Sequence, residues 1–278
     1  MVLHHFDTDG GSLAVEVTGS GPLLVCSPGM GDFRDAYDPL AAHLTAQNYT
    51  VALMDARGHG DSSAHFNNYG DEATASDFLL VIRKLGFAKA VLAGDSFGAG
   101  AAAIAAAKEP DLVAGLVLLG PYLRNPPGLM GAIGLKILPF LFWKPWGPAM
   151  WRYYAATLWP GLGADGAKAR AAKSTESLTR PNRWLAFQKT VAGLDHSVVA
   201  PYIKDQRVKA PALVVMGNKD PDWSDPVKEA EWVASNFGDR EIVLVDGAGH
   251  APMLERPEKV NEAVLVFLGK VRGTGGYE

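Results

Sequence analysis

The sequence contains a single cysteine, Cys26, so an internal disulfide is excluded. Cys26 lies in an apolar run at residues 23–26, where a free cysteine is typical of a buried core. Cations are not in excess, since 26 lysines and arginines face 30 aspartates and glutamates and the net charge is −4. The chain also lacks an arginine-rich segment or basic stripe, so nothing points to a nucleic-acid partner.

Long uninterrupted apolar runs are absent as well. Lys136, Pro139 and Lys144 divide the most apolar segment into pieces too short to span a bilayer. Residues 1–9 show no basic region followed by an apolar stretch, the pattern of a secretory signal. We therefore expect a cytoplasmic protein without stable membrane insertion.

Short apolar runs alternate with helical patterns along most of the chain. Strands are predicted at residues 2–6, 12–17, 23–27, 50–55, 91–94, 115–119, 212–217 and 241–245. The continuous apolar runs are typical of strands buried on both faces, and their alternation with helices predicts a parallel sheet covered on both sides. The fold class is therefore α/β, with a mostly parallel, eight-stranded, doubly wound sheet.

The alternation stops between residues 121 and 206. This segment has no convincing strand but is rich in tryptophan, tyrosine, phenylalanine and proline. We interpret it as a helical cap inserted after the sixth strand. The core then comprises residues 1–120 and 207–278.

The sequence G-D-S-F-G at residues 94–98 stands between a predicted strand and a predicted helix. G-x-S-x-G in this position is typical of a tight turn that exposes a nucleophilic serine, here Ser96. The turn forces the serine into a strained conformation, so positions 94 and 98 need small residues, and glycine occupies both. An ordinary strand-to-helix turn with a capping serine is the alternative, and the other loops decide between the two.

A serine nucleophile needs a base and an acid that orients the base. His250 follows the last predicted strand on a glycine-rich loop and is the candidate base, with His59 as its rival. Asp220 follows the strand at 212–217 and is the candidate acid, with Asp222 and Asp225 as close rivals. Helix capping is the alternative role for those two aspartates.

An oxyanion needs two backbone N–H donors. The first candidate is the amide of Phe97, which directly follows the serine. The second is the amide of Met30, in the glycine-rich turn after the strand at 23–27.

These elements, in the order Ser, Asp, His, closely resemble the α/β-hydrolase superfamily. The loop D-A-R-G-H-G-D-S at residues 55–62 resembles a segment frequent in its single-lid subgroup of esterases, lactonases, C–C hydrolases and haloperoxidase-like enzymes. The resemblance implies an acyl-enzyme on Ser96 and no metal or organic cofactor. That subgroup usually has His-Gly in the oxyanion loop, where this chain has Pro28-Gly29. Asp95, directly before the nucleophile, is expected to point away from the pocket because strand residues alternate faces.

Few charges interrupt the aromatic part of the cap, so the expected substrate is a largely apolar small-molecule ester or lactone. The expected pocket neighbours are Gly29, Tyr122, Trp143 and Met253. Two further interpretations stay open for the cap aromatics: packing within the cap, and docking on a lipid interface.

The same residues serve other reactions. Thioesterase, C–C bond hydrolase, acyltransferase and cofactor-free perhydrolase chemistry are alternatives, as is a ligand receptor with vestigial turnover. The sequence gives no prediction of the oligomeric state.

Overall fold

The computed structural model describes residues 1–273, 275 and 277, without the side chains of Met130 and Ala132. One sheet of eight strands has the order β1-β2-β4-β3-β5-β6-β7-β8. The strands are β1 (Val2–Thr8), β2 (Gly11–Gly19), β3 (Leu23–Ser27), β4 (Thr50–Met54), β5 (Ala90–Asp95), β6 (Val113–Leu119), β7 (Ala212–Gly217) and β8 (Arg240–Val245). Only β2 runs against its neighbours, and every other pair is parallel. The predicted fold class is confirmed.

Eleven α-helices are present in the described part of the chain. They are α1 (Asp38–Thr45), α2 (Asp71–Leu85), α3 (Phe97–Lys108), α4 (Gly128–Leu141), α5 (Gly147–Leu158), α6 (Gly163–Thr179), α7 (Arg183–Ala192), α8 (Ala200–Ile203), α9 (Pro226–Ser235), α10 (Pro252–Glu255) and α11 (Pro257–Gly273). None of the described helices is long and apolar enough to cross a membrane.

Helices cover both faces of the sheet and form two apolar cores. One core contains α1 and α11, and the other contains α2, α3 and α9. All five residues of β3 and of β4 are buried, as their continuous apolar sequence predicts. Helix α3 packs against β5 and β6, and its alanines between residues 99 and 106 are almost completely buried. Their short side chains permit that close approach.

Helices α4 to α8 form one insertion between β6 and β7. No strand occurs in this insertion, all of whose backbone is described. Its centre is an aromatic cluster in which Phe187 contacts Trp151, Trp184 and Phe142, with ring centroids 4.9, 5.0 and 5.7 Å away. The insertion faces the carboxyl ends of the parallel strands. The loops that follow β3, β5, β7 and β8 meet there.

Candidate active site

Ser96 lies at the sharp turn between β5 and α3. Its backbone has φ 59° and ψ −124°, a conformation that costs energy for any residue with a side chain. A Cβ on Gly94 would lie 2.1 Å from the Gly98 carbonyl oxygen, and one on Gly98 would lie 3.0 Å from the Ser27 carbonyl oxygen. The turn therefore requires glycine at position 94, and a larger residue at position 98 would push the neighbouring backbone apart. Ser96 is 8% exposed and lines a cavity.

His250 lines the same cavity and is held by a buried carboxylate. Its Nδ1 lies 2.9 Å from Oδ2 of Asp220, whose side chain is fully buried. This bond leaves Nε2 as the ring nitrogen that can accept a proton. Burial disfavours the protonated imidazole, but the carboxylates of Asp220 and Asp222 outweigh it and raise the pKa of His250 well above its usual 6.5.

Glu255 fixes the loop that carries His250. Its carboxylate accepts hydrogen bonds from the amides of Gly249 and Ala251, at 2.8 and 3.1 Å, on either side of the histidine. It also accepts from the amide of Gly161 in the insertion, at 2.6 Å. Burial raises the pKa of Glu255. Glu255 was not predicted from the sequence, because its role depends on loop geometry and no sequence motif indicates it.

The two candidate oxyanion donors lie on neighbouring segments. The amide of Gly29 donates to Asp95 Oδ2 at 3.2 Å, and the amide of Gly31 donates to His59 Nε2 at 3.0 Å. Between them, the amide of Met30 donates to no described residue. A Cβ on Gly29 would lie 2.9 Å from Ser96 Cβ, so this loop packs directly against the serine.

The amide of Phe97 is the first of helix α3, where no intrahelical acceptor exists. The positive end of the helix dipole adds to its attraction for a negative oxygen. Neither the amide of Met30 nor that of Phe97 donates to a described residue, and their joint role as oxyanion donors stays a prediction.

Asp95 and His59 accept hydrogen bonds from the loop that carries Met30. Asp95 is buried outside the cavity lining, and burial raises the pKa of its carboxyl well above the usual value, which favours the uncharged acid. Burial lowers the pKa of His59, and its Nδ1 lies 2.9 Å from the carbonyl oxygen of Arg57. His59 therefore has a structural role here. The side chain of Arg57 pairs with Asp9 and Asp77.

A second carboxylate, that of Asp222, adjoins His250. Its Oδ2 lies 3.6 Å from His250 Nδ1, and its Oδ1 accepts a 2.6 Å hydrogen bond from the Tyr154 hydroxyl of α5. Burial raises the pKa of Asp222. The amide of Asp222 donates to Asp220 Oδ1 at 3.0 Å, which ties the two acids together. Asp225 instead caps helix α9 and accepts from the amide of Lys228.

Donor atoms of Asp220, Asp222 and His250 all lie within 4.8 Å of one another, a spacing that a metal ion can also use. Hydrogen bonds within the protein already engage them: Asp220 binds His250, and Asp222 binds Tyr154. The arrangement is therefore suited to orienting a proton-accepting histidine.

The cavity has a volume of about 190 Å³ and a largely apolar wall. The described residues that line it are Met30, Ser96, Tyr122, Pro126, Gly131, Gly134, Leu135, Leu138, Trp151, Tyr154, Leu158, Leu194, His196, Asp222 and His250. A larger, open hollow of about 730 Å³ lies between α1 and α6 and contains none of the predicted catalytic residues.

The pocket prediction needs correction at three of its four positions. Tyr122 lines the cavity, but Trp143 is 60% exposed on the outer side of the insertion. Met253 is fully buried in the apolar core beneath the His250 loop. Gly29 packs between Asp95 and Ser96 and is not part of the lining. Nearness in sequence to the catalytic loops does not fix which way a side chain points.

His196 is a cavity residue that the sequence analysis left aside. It comes from the insertion, and its Nδ1 lies 3.1 Å from the buried carboxylate of Asp71 at the start of α2. Tyr122 contacts both His196 and His250, with ring centroids 5.0 and 5.8 Å away. The site therefore contains two His–Asp pairs. The partners of the second lie 125 residues apart, so no local pattern could reveal it.

The chain is similar to known proteins over most of its length. The sequence profile described as "Alpha/beta hydrolase family" matches residues 24–263. A 2-(acetamidomethylene)succinate hydrolase of Mesorhizobium japonicum is 28% identical, over 92% of this chain and 91% of its own length. Strigolactone esterase D14 of Arabidopsis thaliana is 27% identical, over 90% of this chain and 93% of its own length.

Solved structures show the same fold. A thermophilic esterase from Thermogutta terrifontis superimposes with a TM-score of 0.79 and 25% identity, covering 98% of this chain and 99% of that one. A bromoperoxidase from Bacillus anthracis superimposes with a TM-score of 0.83 and 16% identity, covering 96% of this chain and all of the other. Because the family profile matches residues 24–263, the chain belongs to the alpha/beta hydrolase family and is a hydrolase.

Proposed function

We propose that the protein is a serine hydrolase that cleaves a carboxylic ester or lactone of a small, largely apolar molecule. One observation carries this proposal: Ser96 and His250 line the same cavity, with Asp220 bonded to the far nitrogen of the imidazole. The unpaired amide of Met30 beside the serine supplies a place for the negative oxygen.

In the proposed reaction Ser96 Oγ attacks the ester carbonyl while His250 Nε2 accepts the hydroxyl proton. The carbonyl oxygen becomes an oxyanion bound by the amides of Met30 and Phe97. Collapse of the tetrahedral intermediate breaks the bond to the alcohol, which takes the proton from His250. Water then attacks the acyl-serine by the same route and releases the acid and free Ser96.

The polar groups of the cavity favour an uncharged substrate. Among the described lining residues there is no lysine or arginine, whereas Asp222 contributes a carboxylate. While His250 is the neutral base that the reaction needs, an anionic substrate would lose its hydration without gaining a cation and would meet the like charge of Asp222. Two curated relatives are named for hydrolysis of a succinate and of dienedioates, both dicarboxylates. We propose that this chain differs from them and takes neutral esters.

The first experiment is intact-mass analysis after exposure to a fluorophosphonate, with peptide mapping and with Ser96→Ala protein as the control. A single adduct on Ser96 that is missing from the variant, together with steady-state turnover of p-nitrophenyl butyrate, is the expected result. An adduct on a residue other than Ser96 would reject the assignment of Ser96 as the nucleophile. Labelling of Ser96 with only stoichiometric ester cleavage would favour a receptor with vestigial turnover.

A further inference from the structure

The outer side of the insertion presents a cluster of exposed apolar side chains. Half of the large apolar residues exposed in the described chain fall between residues 129 and 153, and each is at least 38% exposed. We call them the apolar face: Leu129, Ile133, Ile137, Phe140, Trp143, Trp146, Met150 and Tyr153. Such a concentration marks an interaction surface, whereas single exposed apolar residues are common.

Helix α4 separates this face from the active-site cavity. The exposed residues of α4 recur at helical spacing, at positions 129, 133, 137 and 140, and form one stripe. The residues of α4 that line the cavity, at positions 131, 134, 135 and 138, occupy the opposite stripe. The inner stripe accounts for the wall of the cavity. The outer stripe is covered by nothing in the described chain.

The charge of this region has one sign. No aspartate or glutamate occurs between Asp111 and Asp165, although the whole chain carries a net charge of −4. Lys136, Lys144 and Arg152 are exposed within this stretch, and no ion pair involves them in the described structure. The apolar face therefore carries exposed cations that form no ion pair in the described structure, and its own segment contributes no acid.

We propose that the apolar face docks on an anionic phospholipid surface. Tryptophan and tyrosine favour the boundary between water and lipid, and lysines beside them reach the headgroups. A symmetric pair of these faces is disfavoured, because it would bring Lys136 and Lys144 against the same cations of a second copy with no acid to compensate. The docking is peripheral, since no described helix can span a bilayer.

Docking in this orientation brings the membrane within one helix diameter of the cavity that holds Ser96. Acyl substrates dissolved in the lipid would then reach the cavity past α4. The docking itself is independent of the proposed ester chemistry, so the two can be tested separately.

The test is flotation of the full chain with phosphatidylcholine vesicles and with vesicles that also contain phosphatidylglycerol. Ser96→Ala protein is used, so that hydrolysis cannot alter the lipid. We expect binding to the anionic vesicles that is at least about tenfold stronger than to phosphatidylcholine alone. The double variant Phe140→Ser, Trp143→Ser should lose this binding, and Lys136→Glu, Lys144→Glu should lose the preference for anionic lipid.

Matched controls lie elsewhere on the surface. Leu185 on α7 and Val266 on α11 are 59% and 53% exposed, so Leu185→Ser, Val266→Ser removes two exposed apolar side chains outside the apolar face. Lys84→Glu, Lys259→Glu changes the net charge as much as the lysine variant does. Both controls should bind as Ser96→Ala does. On the wild-type background, turnover of a water-soluble ester should be unchanged by all four sets of substitutions.

Absence of binding to anionic vesicles would overturn the proposal, as would binding that the controls weaken equally. A dimer in solution that Phe140→Ser, Trp143→Ser dissociates would also overturn it and assign the face to a second copy. Vesicle binding that persists in a protein without esterase activity would leave the docking intact and reject only the proposed reaction.

Discussion

At the residue scale, His250 is distinguished by the two carboxylates that face its Nδ1. Asp220 lies at 2.9 Å and Asp222 at 3.6 Å, and both raise its pKa. A base must be neutral to accept the serine proton, so a raised pKa shifts the start of activity to higher pH. Asp220 has the shorter contact and is fully buried, so in the proposed reaction it is the acid that orients the imidazole. Asp222 acts mainly through its charge.

Replacing Asp222 with asparagine should therefore separate orientation from charge. The protonated imidazole loses one stabilising anion, so the pKa of His250 falls and the acidic limb of the kcat/KM profile should move to lower pH by about one unit. The profile is measured with a neutral p-nitrophenyl ester between pH 5 and 9. Asp225→Asn, which alters the cap of α9 in the same loop, should leave the limb in place. An unshifted limb in Asp222→Asn would contradict the proposed electrostatic role.

The sequence predicted these residues unevenly, for physical reasons. Ser96 stands in a motif whose glycines are required by the backbone, so local chemistry was enough to predict its place at the sharp turn. The choice of Asp220 over Asp222 depends on a difference of 0.7 Å in distance to His250, which position in the sequence does not encode. Partners from distant segments, such as Asp71 with His196, were outside the reach of any local pattern.

At the element scale, the turn between β5 and α3 stores backbone strain. Ser96 has φ 59° and ψ −124°, which glycine tolerates far better than residues with a Cβ. The strands, helices and the insertion were predictable because their periodicity and composition are strong. Which side of α4 faces the cavity was not predictable, because the helix is largely apolar all round and its periodicity does not indicate the buried face. Trp143 lies in the turn between α4 and α5, where no helical periodicity indicates which way a side chain points, and it is on the surface although it was predicted in the pocket.

The backbone strain at Ser96 predicts that replacement by glycine is less destabilising than replacement by alanine, the reverse of the usual order within a helix. Ser96→Gly should be more stable than Ser96→Ala by about 1 kcal/mol in the free energy of unfolding, because glycine relaxes at positive φ. Urea denaturation provides the measurement. Ser76, exposed in the middle of α2, is the matched position, and there the alanine variant should be the more stable by about the same amount. If the alanine variant were the more stable one at position 96 as well, the turn would not be strained.

At the scale of the whole molecule, polar contacts connect the insertion to the core around the rim of the cavity. Tyr154 binds Asp222, His196 binds Asp71, and the amide of Gly161 binds Glu255. Arg170 on α6 adds ion pairs to Asp32 and Asp35 next to the oxyanion loop. Each contact joins the insertion to a loop of the active site or to the cavity wall, so the position of the insertion and the geometry of the site depend on each other.

Tyr154→Phe tests this coupling because it removes one hydroxyl and keeps the ring. The lost hydrogen bond has a charged, buried acceptor, so the free energy of unfolding should fall by about 2 kcal/mol. Tyr153→Phe is the control, since that neighbouring side chain is 76% exposed and its replacement should change stability by less than about 0.5 kcal/mol. Limited proteolysis under native conditions should also cut the insertion faster in Tyr154→Phe. If stability and cleavage matched the wild type, the insertion would be held by the ion pairs of Arg170 and the His196–Asp71 pair, and the Tyr154–Asp222 bond would serve only to position the carboxylate beside His250.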